Sequence, residues 1–124
     1  MSADANRATA LAFLRQAAAG DVEPLKALVA PGARHHNQYF PAGFDALLAA
    51  MAENARQQPR KAFTVHHAVA EGDLVAVHSH LVPEPGQPGM MVLHLFRFAK
   101  GKVIELWDMG QPIQPDGPNR DGPF

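Results

Sequence analysis

The stretch Val92–Asp108, VLHLFRFAKGKVIELWD, decides which fold this chain can adopt. Two runs rich in Val, Ile, Leu, Phe and Trp flank the segment AKGK, whose glycine suits the positive φ of a tight turn. This pattern predicts a β-hairpin, in which successive side chains point to opposite faces. On one face we expect His94, Phe96 and Phe98 from the first strand, with Ile104, Leu106 and Asp108 from the second.

The register of this hairpin follows from its charged residues. We call the register even when the numbers of the paired residues have an even sum. An even register places Arg97 opposite Glu105, which is a favourable cross-strand pair. The same register places His94 opposite Asp108 on the other face, among phenylalanines. A shift by one residue loses the charge pairing and mixes the apolar sets. The hairpin therefore predicts a His and an Asp that face each other on an otherwise apolar surface.

Length and composition indicate a single domain without extreme charge. The chain has 124 residues, 11 basic and 12 acidic side chains and a formal net charge of −1, so nothing favours a nucleic-acid or membrane partner. No apolar run approaches the ~18 residues that a membrane span needs. The N-terminal segment carries charges unlike those of a secretory signal, and there is no cysteine. We therefore expect a cytoplasmic protein.

The first half of the chain carries helical patterns. Residues 4–19 predict a helix whose inward stripe is Ala10, Phe13, Leu14 and Ala17. Residues 22–29 predict a short second helix, and residues 44–56 a third with a stripe of Phe44, Leu47, Leu48 and Met51. Between the last two, residues 33–40 are consistent with a short strand and a loop.

From residue 62 onward the apolar period changes to two. Strands are predicted at 62–70, 74–82, 90–98 and 102–109, joined by the turn at residues 71–73, a Pro/Gly-rich loop and the AKGK turn. Helices followed by an antiparallel meander indicate an α+β domain with helices on one side of the sheet. We expect one domain over residues 1–111 and a Pro/Gly-rich tail over residues 112–124.

Several segments resemble the NTF2-like fold and, within it, the SnoaL-like polyketide cyclases. They are HHN at residues 35–37, AEGDLVAVHSH at 70–80 and LFRFAKGKVIELWDMGQP at 95–112. With the helical order they cover nearly the whole chain, and the branch they resemble most is that of SnoaL-like aldol-condensation enzymes. The resemblance implies a cone-shaped barrel with a pocket between the helices and a curved sheet.

The resemblance also implies roles for individual residues. Asp108 matches the acid/base Asp on the last long strand of the cyclases, and His94 matches their nearby His, with no metal or cofactor taking part. Leu106 stands where related sequences commonly have His, and in the aldol-condensation branch the position of His94 is often Asp. The implied function is aldol-type cyclisation or enolisation of a small apolar carbonyl compound.

Both catalytic candidates have a physical rationale in the residues themselves. An imidazole beside a carboxylate in an apolar pocket has strongly coupled pKa values, which suits proton transfer near neutral pH. The candidate substrate-binding residues are His36, Asn37, Tyr39, His78 and Trp107. At most one of His35 and His36 can point inward from a strand, and the resemblance favours His36.

Alternative interpretations remain open for the same residues. His94 and Asp108 could form a structural salt bridge, and the pocket could belong to a non-catalytic binder of a small apolar ligand. His78 and His80, with His94 or His36, could supply three imidazoles to a zinc ion. Trp107 and Arg97 fall on the face opposite His94, where large aromatic and Arg side chains favour a homodimer interface.

Overall fold

The computed structural model describes residues 2–124. It consists of a five-stranded sheet that is covered by helices on one face. The helices are α1 (Ala3–Ala19) and α2 (Phe44–Gln57), with a short 3₁₀ helix at Pro24–Leu28. The strands are β1 (Val29–His35), β2 (Ala62–Glu71), β3 (Leu74–Val82), β4 (Met90–Ala99) and β5 (Lys102–Pro112). No helix within residues 2–124 is long and apolar enough to cross a membrane.

The strands lie in the order β1-β5-β4-β3-β2. Strands β2 to β5 form the predicted antiparallel meander, and β1 adds to β5 in parallel. The α+β prediction is therefore confirmed. The sheet is mixed and open, with β1 and β2 as its edges, so the barrel implied by the resemblance is not closed.

The β4–β5 hairpin has the predicted pairs at its centre. His94 lies opposite Asp108 and Arg97 opposite Glu105. The two turn residues that precede Lys102 both have positive φ, 53° and 77°, which is the backbone twist that a two-residue hairpin turn requires. The even register therefore holds along the part of the hairpin that carries the candidate site.

Close to the turn, a β-bulge changes which side chain faces the helices. The register shifts between Arg97 and Phe98, so Phe98 pairs with Val103. Val103 is fully buried, whereas Ile104, which was expected on the inner face, is only partly buried. The extra residue of a bulge moves every side chain on its turn side to the other face, which alternation alone does not reveal.

The core lies between the helices and the inner face of the sheet. All four predicted stripe residues of α1 are buried, and so are Phe44, Leu47 and Leu48 of α2, while Met51 is partly buried. Phe13 of α1 meets Phe96 of β4 edge to face, with ring centroids 5.6 Å apart. Ser2 caps α1 by accepting a hydrogen bond from the backbone N–H of Ala5 at 3.0 Å.

Two predicted boundaries were wrong. The segment 22–29 forms only a 3₁₀ turn, and β1 begins at Val29, because the backbone of this segment pairs along β5. Strand β5 continues to Pro112, which pairs with Met90, although the strand was predicted to end at residue 109. The next residue, Ile113, donates its N–H to the carbonyl oxygen of Gly89, so the nitrogen of Pro112 faces away from β4. On that side β5 has no neighbour beyond Leu106, and the missing N–H of Pro112 therefore costs no ladder bond.

Candidate active site

One cavity of about 250 Å³ opens between α1, α2 and the inner face of the sheet; we call it the central cavity. Its apolar wall includes Leu14, Leu47, Met51, Phe63 and Leu81. Its polar lining residues are Asn37, Asn54, Lys61, His94 and Asp108. Mostly apolar walls with a few convergent polar groups are typical of small-molecule sites.

His94 and Asp108, the predicted acid/base pair, both line this wall. Neighbouring strands β4 and β5 place them side by side. Asp108 Oδ1 and His94 Nδ1 are both buried, and neither has a hydrogen-bond partner within residues 2–124. Buried polar atoms without partners are costly in a folded chain, so the two residues leave hydrogen-bonding capacity unused at the wall of the cavity.

The environment of His94 keeps its imidazole neutral. Burial lowers the pKa of His94 from 6.5 to about 4, because a charged ring is poorly solvated there; the negative charge of Asp108 opposes this effect only in part. At neutral pH, His94 is therefore a hydrogen-bonding group beside a carboxylate, and not the half-protonated partner that a pKa near neutrality would provide.

Asn37 fixes the orientation of the Asp108 carboxylate. Its Nδ2 donates to Asp108 Oδ2 at 2.9 Å, which leaves Oδ1 as the oxygen without a partner. Asn37 is itself held at both ends, since its Oδ1 accepts from the Tyr39 backbone N–H at 2.9 Å and its own N–H donates to His35 Nδ1 at 3.2 Å. The prediction that Asn37 lies at the pocket agrees with this placement.

His35, and not His36, is the histidine of this pair that points inward. His35 is buried against Phe44, with ring centroids 6.1 Å apart, and its Nε2 donates to the carbonyl oxygen of Pro41 at 2.7 Å. That donation leaves Nδ1 as the acceptor for Asn37. The choice of His36 was wrong because the inward face of β1 is set by its pairing with β5, where His35 lies beside the buried Leu106.

His36 and Trp107 lie on the outer face of the sheet. Their rings stack with centroids 5.1 Å apart, and His36 Nε2 is 2.6 Å from an oxygen of Glu105. The guanidinium of Arg97 lies 5.9 Å from the centroid of the Trp107 ring on the same face. Neither His36 nor Trp107 lines the central cavity, so a direct contact of either with a ligand there is not supported by their positions.

Tyr39 and His78 also lie away from the central cavity. Tyr39 is 90% exposed. His78 points outward between the buried Val77 and Ser79, and its Nδ1 is 3.0 Å from Nδ1 of His67. A direct role for Tyr39 or His78 in the cavity is therefore not supported by their positions.

The zinc alternative fails for a geometric reason. His78 and His80 face outward on β3, whereas His94 faces the helices on β4. Across residues 2–124, no three His, Cys, Asp or Glu side chains are grouped so that they could hold a metal ion. With His94 the three imidazoles lie on two faces of the sheet. His36 shares the outer face with His78 and His80, but these three are not grouped closely enough to hold an ion.

Two polar residues of the central cavity were not identified from the sequence. Asn54 continues the inward stripe of α2 at the spacing of Leu47 and Met51, and this spacing could have revealed it. Lys61 follows a polar linker and carries no comparable signal. The Lys61 ammonium donates to Asn54 Oδ1, and burial lowers its pKa below the ordinary value.

Comparison with known proteins identifies relatives of this architecture. Residues 10–106 match the sequence profile of the family described as "SnoaL-like domain". No curated protein matches the chain. The wild-type structure of IdmH from Streptomyces antibioticus, a candidate polyketide cyclase, is 25% identical; the match covers 86% of this chain and 91% of IdmH, with a TM-score of 0.70.

Two other structures show the same fold. A candidate SnoaL-like polyketide cyclase from Jannaschia sp. CCS1 is 25% identical over 87% of this chain and 86% of its own, with a TM-score of 0.68. AclR from Streptomyces galilaeus, a candidate hydroxylase, is 20% identical over 90% of this chain and 81% of its own, with a TM-score of 0.74. At this identity the likeness to AclR concerns the fold alone. The three structures are described as two cyclases and one hydroxylase, so one fold is associated with different chemistries.

Proposed function

This chain belongs to the SnoaL-like domain family, and on that premise we propose that it is an enzyme for aldol-type cyclisation or enolisation of a polyketide-like carbonyl compound. Its own side chains perform the acid/base chemistry in the central cavity. The observation that carries the proposal is the Asp108 carboxylate, which is held by Asn37 at one oxygen and has its other oxygen buried without a partner beside His94.

The reaction begins with a proton transfer from carbon. Asp108 Oδ1 takes a proton from the carbon next to a substrate carbonyl, and the electron pair of the C–H bond forms an enolate. A neutral imidazole carries one N–H. His94 donates a hydrogen bond from this N–H to the enolate oxygen, where negative charge develops, and keeps the proton. The low pKa of His94 supports this role, because the ring is neutral at pH 7 and acts as a hydrogen-bond donor through its single N–H.

Ring closure uses the same two groups. The enolate carbon attacks a second carbonyl of the substrate, which becomes an alkoxide. The alkoxide then takes the proton held by Asp108, so the carboxylate is regenerated and no proton is gained or lost overall. General acid–base catalysis of this kind contributes typically ~10²–10⁴-fold to the rate.

Exchange of substrate protons with deuterated solvent tests the proposal. Nuclear magnetic resonance follows deuterium uptake at the α-carbon of a panel of β-diketones. We expect the wild-type protein to accelerate uptake and Asp108→Asn to lose the acceleration while it still folds and binds the diketones. Asp116→Asn, in the exposed tail, is the matched control and retains activity. Wild-type rates in Asp108→Asn would contradict the assignment.

A second candidate function is non-catalytic binding of a small apolar molecule in the same cavity. The observation that favours it is the predominantly apolar wall of the cavity. The cavity volume of about 250 Å³ is slightly below the ~300–1,000 Å³ of typical ligand pockets, so the molecule would be small. The exchange experiment separates the two functions. Binding of the diketones without enzyme-dependent deuterium uptake in any of them supports the binder.

We also propose a homodimer that forms through the outer face of the sheet. Leu93, Leu95, Trp107 and Met109 point away from the helices there, and Met109 is 56% exposed. A surface of this kind favours association because its burial removes apolar area from water. Sedimentation of the purified chain at micromolar concentration is expected to give twice the monomer mass, and a monomer mass at these concentrations would contradict the proposal.

A further inference from the structure

A cationic side chain lines the central cavity on the side away from β5. Lys61 immediately precedes β2, and its ammonium donates to Oδ1 of Asn54 on α2. In the sheet, β2 is separated from β5 by β3 and β4, so Lys61 and Asp108 are three strand spacings apart. That separation is roughly 14 Å along a flat sheet, and side chains that reach into the cavity shorten it.

The charge of Lys61 is not balanced by a carboxylate within the chain. The neighbouring Arg60 pairs with Glu84, and Arg56 at the end of α2 pairs with Glu53, but Lys61 takes part in no ion pair among residues 2–124. Burial without a counter-charge disfavours the ammonium and lowers the pKa of Lys61. An anion bound at this position would relieve that cost.

A second cation lines a cleft beside the central cavity. Arg15 on α1 and Lys61 line a neighbouring cleft, which shares Ala18, Phe63 and Lys61 with the central cavity. Arg15 likewise forms no ion pair within the described part of the chain. This cleft is lined by two cationic side chains and by no acidic one, and such a surface raises the local concentration of anions beside the cavity.

We infer that Lys61 and Asn54 bind a carboxylate of the substrate, while the reacting carbonyl of the same molecule lies at Asp108 and His94. The position of the reacting carbonyl at Asp108 and His94 rests on the function proposed above. The negative charge of Asp108 repels a carboxylate and the positive charge of Lys61 attracts it, so the substrate enters in one orientation. The Asn54 Nδ2 donates one N–H to Gln58 Oε1 at 3.1 Å, which leaves its second N–H for a ligand. One ammonium with this N–H matches a singly charged carboxylate, whereas a phosphate dianion would leave part of its charge unbalanced.

A matched pair of probes tests the inference by equilibrium binding. The first is a β-diketone joined through a five-carbon chain to a terminal carboxylate, and the second is its methyl ester. Calorimetric titration compares both probes on the wild type and on Lys61→Met, which keeps an unbranched side chain of similar length and removes its charge. Lys61→Arg restores a cation at the site, and Lys102→Met removes an exposed cation outside the cavity.

The wild type is expected to bind the acid about tenfold more tightly than the ester, equivalent to about 1.4 kcal/mol. Lys61→Met loses this preference by weakening the acid alone, while Lys61→Arg and Lys102→Met retain it. Bound acid also raises the pKa of the Lys61 ammonium, which the ester does not. The inference is overturned if the wild type binds both probes equally or neither, or if Lys61→Met weakens both to the same extent.

Deuterium uptake between the two carbonyls of the same probes separates this inference from the proposed function. Acid preference that depends on Lys61, without enzyme-dependent uptake, supports the carboxylate site and contradicts catalysis. Uptake that depends on Asp108, with equal affinity for acid and ester, supports catalysis and contradicts the carboxylate site.

Discussion

Replacement of His94 by glutamine is expected to reduce the loss of stability that the protein undergoes in acid. His94 is only 8% exposed, and it is packed near Phe63 and Phe96 at ring-centroid distances of 6.4 and 6.3 Å. Its protonation would place a poorly solvated charge in this apolar surrounding. Glutamine keeps a polar side chain at the position but does not titrate, so the variant isolates the contribution of the imidazole.

The magnitude follows from the two pKa values of His94. The ring titrates at 6.5 in the unfolded reference and at about 4 in the folded protein. Between these values the unfolded chain binds more protons, so the free energy of unfolding rises with pH there and falls as the solution is acidified. At 1.36 kcal/mol for each pH unit, the loss reaches about 3 kcal/mol by pH 4. This is a large part of the ~5–15 kcal/mol that stabilises a typical domain.

Urea denaturation of the wild type and of His94→Gln, at several values between pH 7 and pH 4, measures how much the titration of His94 contributes to the free energy of unfolding. The two free energies of unfolding are subtracted at each pH, which removes the carboxylates that titrate in both proteins. The wild type is expected to lose about 3 kcal/mol more than His94→Gln over this range, with most of the change between pH 6 and pH 4. Parallel curves would show that His94 titrates alike in the folded and unfolded chains and would refute the reasoning.

Two further substitutions test the positioning of Asp108 and the backbone of the loop before β4. Asn37→Ala removes the hydrogen bond to Asp108 Oδ2, and because such charge-assisted bonds contribute about 1.5–3 kcal/mol, we expect kcat for deuterium exchange to fall roughly 10–100-fold with little change in KM. An unchanged kcat would show that this bond does not orient the base. Gly89→Ala is expected to destabilise the protein by at least about 2 kcal/mol more than Gly86→Ala in urea denaturation. Both glycines have positive φ, but a Cβ at Gly89 would lie 2.2 Å from the Leu81 carbonyl oxygen, whereas one at Gly86 has nothing within 4 Å; equal losses would contradict this explanation.

The sequence alone determined the elements that depend on local periodicity. The stripes of α1 and α2 repeat at helical spacing, and each is buried against the same sheet. In the β4–β5 hairpin, alternation of side chains and the expected position of Arg97 opposite Glu105 were sufficient to place His94 opposite Asp108. The predicted charge pair itself does not form, because the Arg97 guanidinium pairs with Asp73 across the neighbouring turn. A register error of one residue would expose the whole apolar face, so the sequence specifies this register strongly.

The tertiary structure decided the features that depend on segments far apart in the chain. His35 faces inward because β1 lies along β5, and the parallel contact of two strands about 70 residues apart leaves no periodic signal in either segment. Lys61 reaches the cavity only because the end of α2 and the start of β2 meet beside it. The low pKa of His94 likewise arises from burial by the assembled core, since desolvation depends on every element around the ring and not on the residue itself.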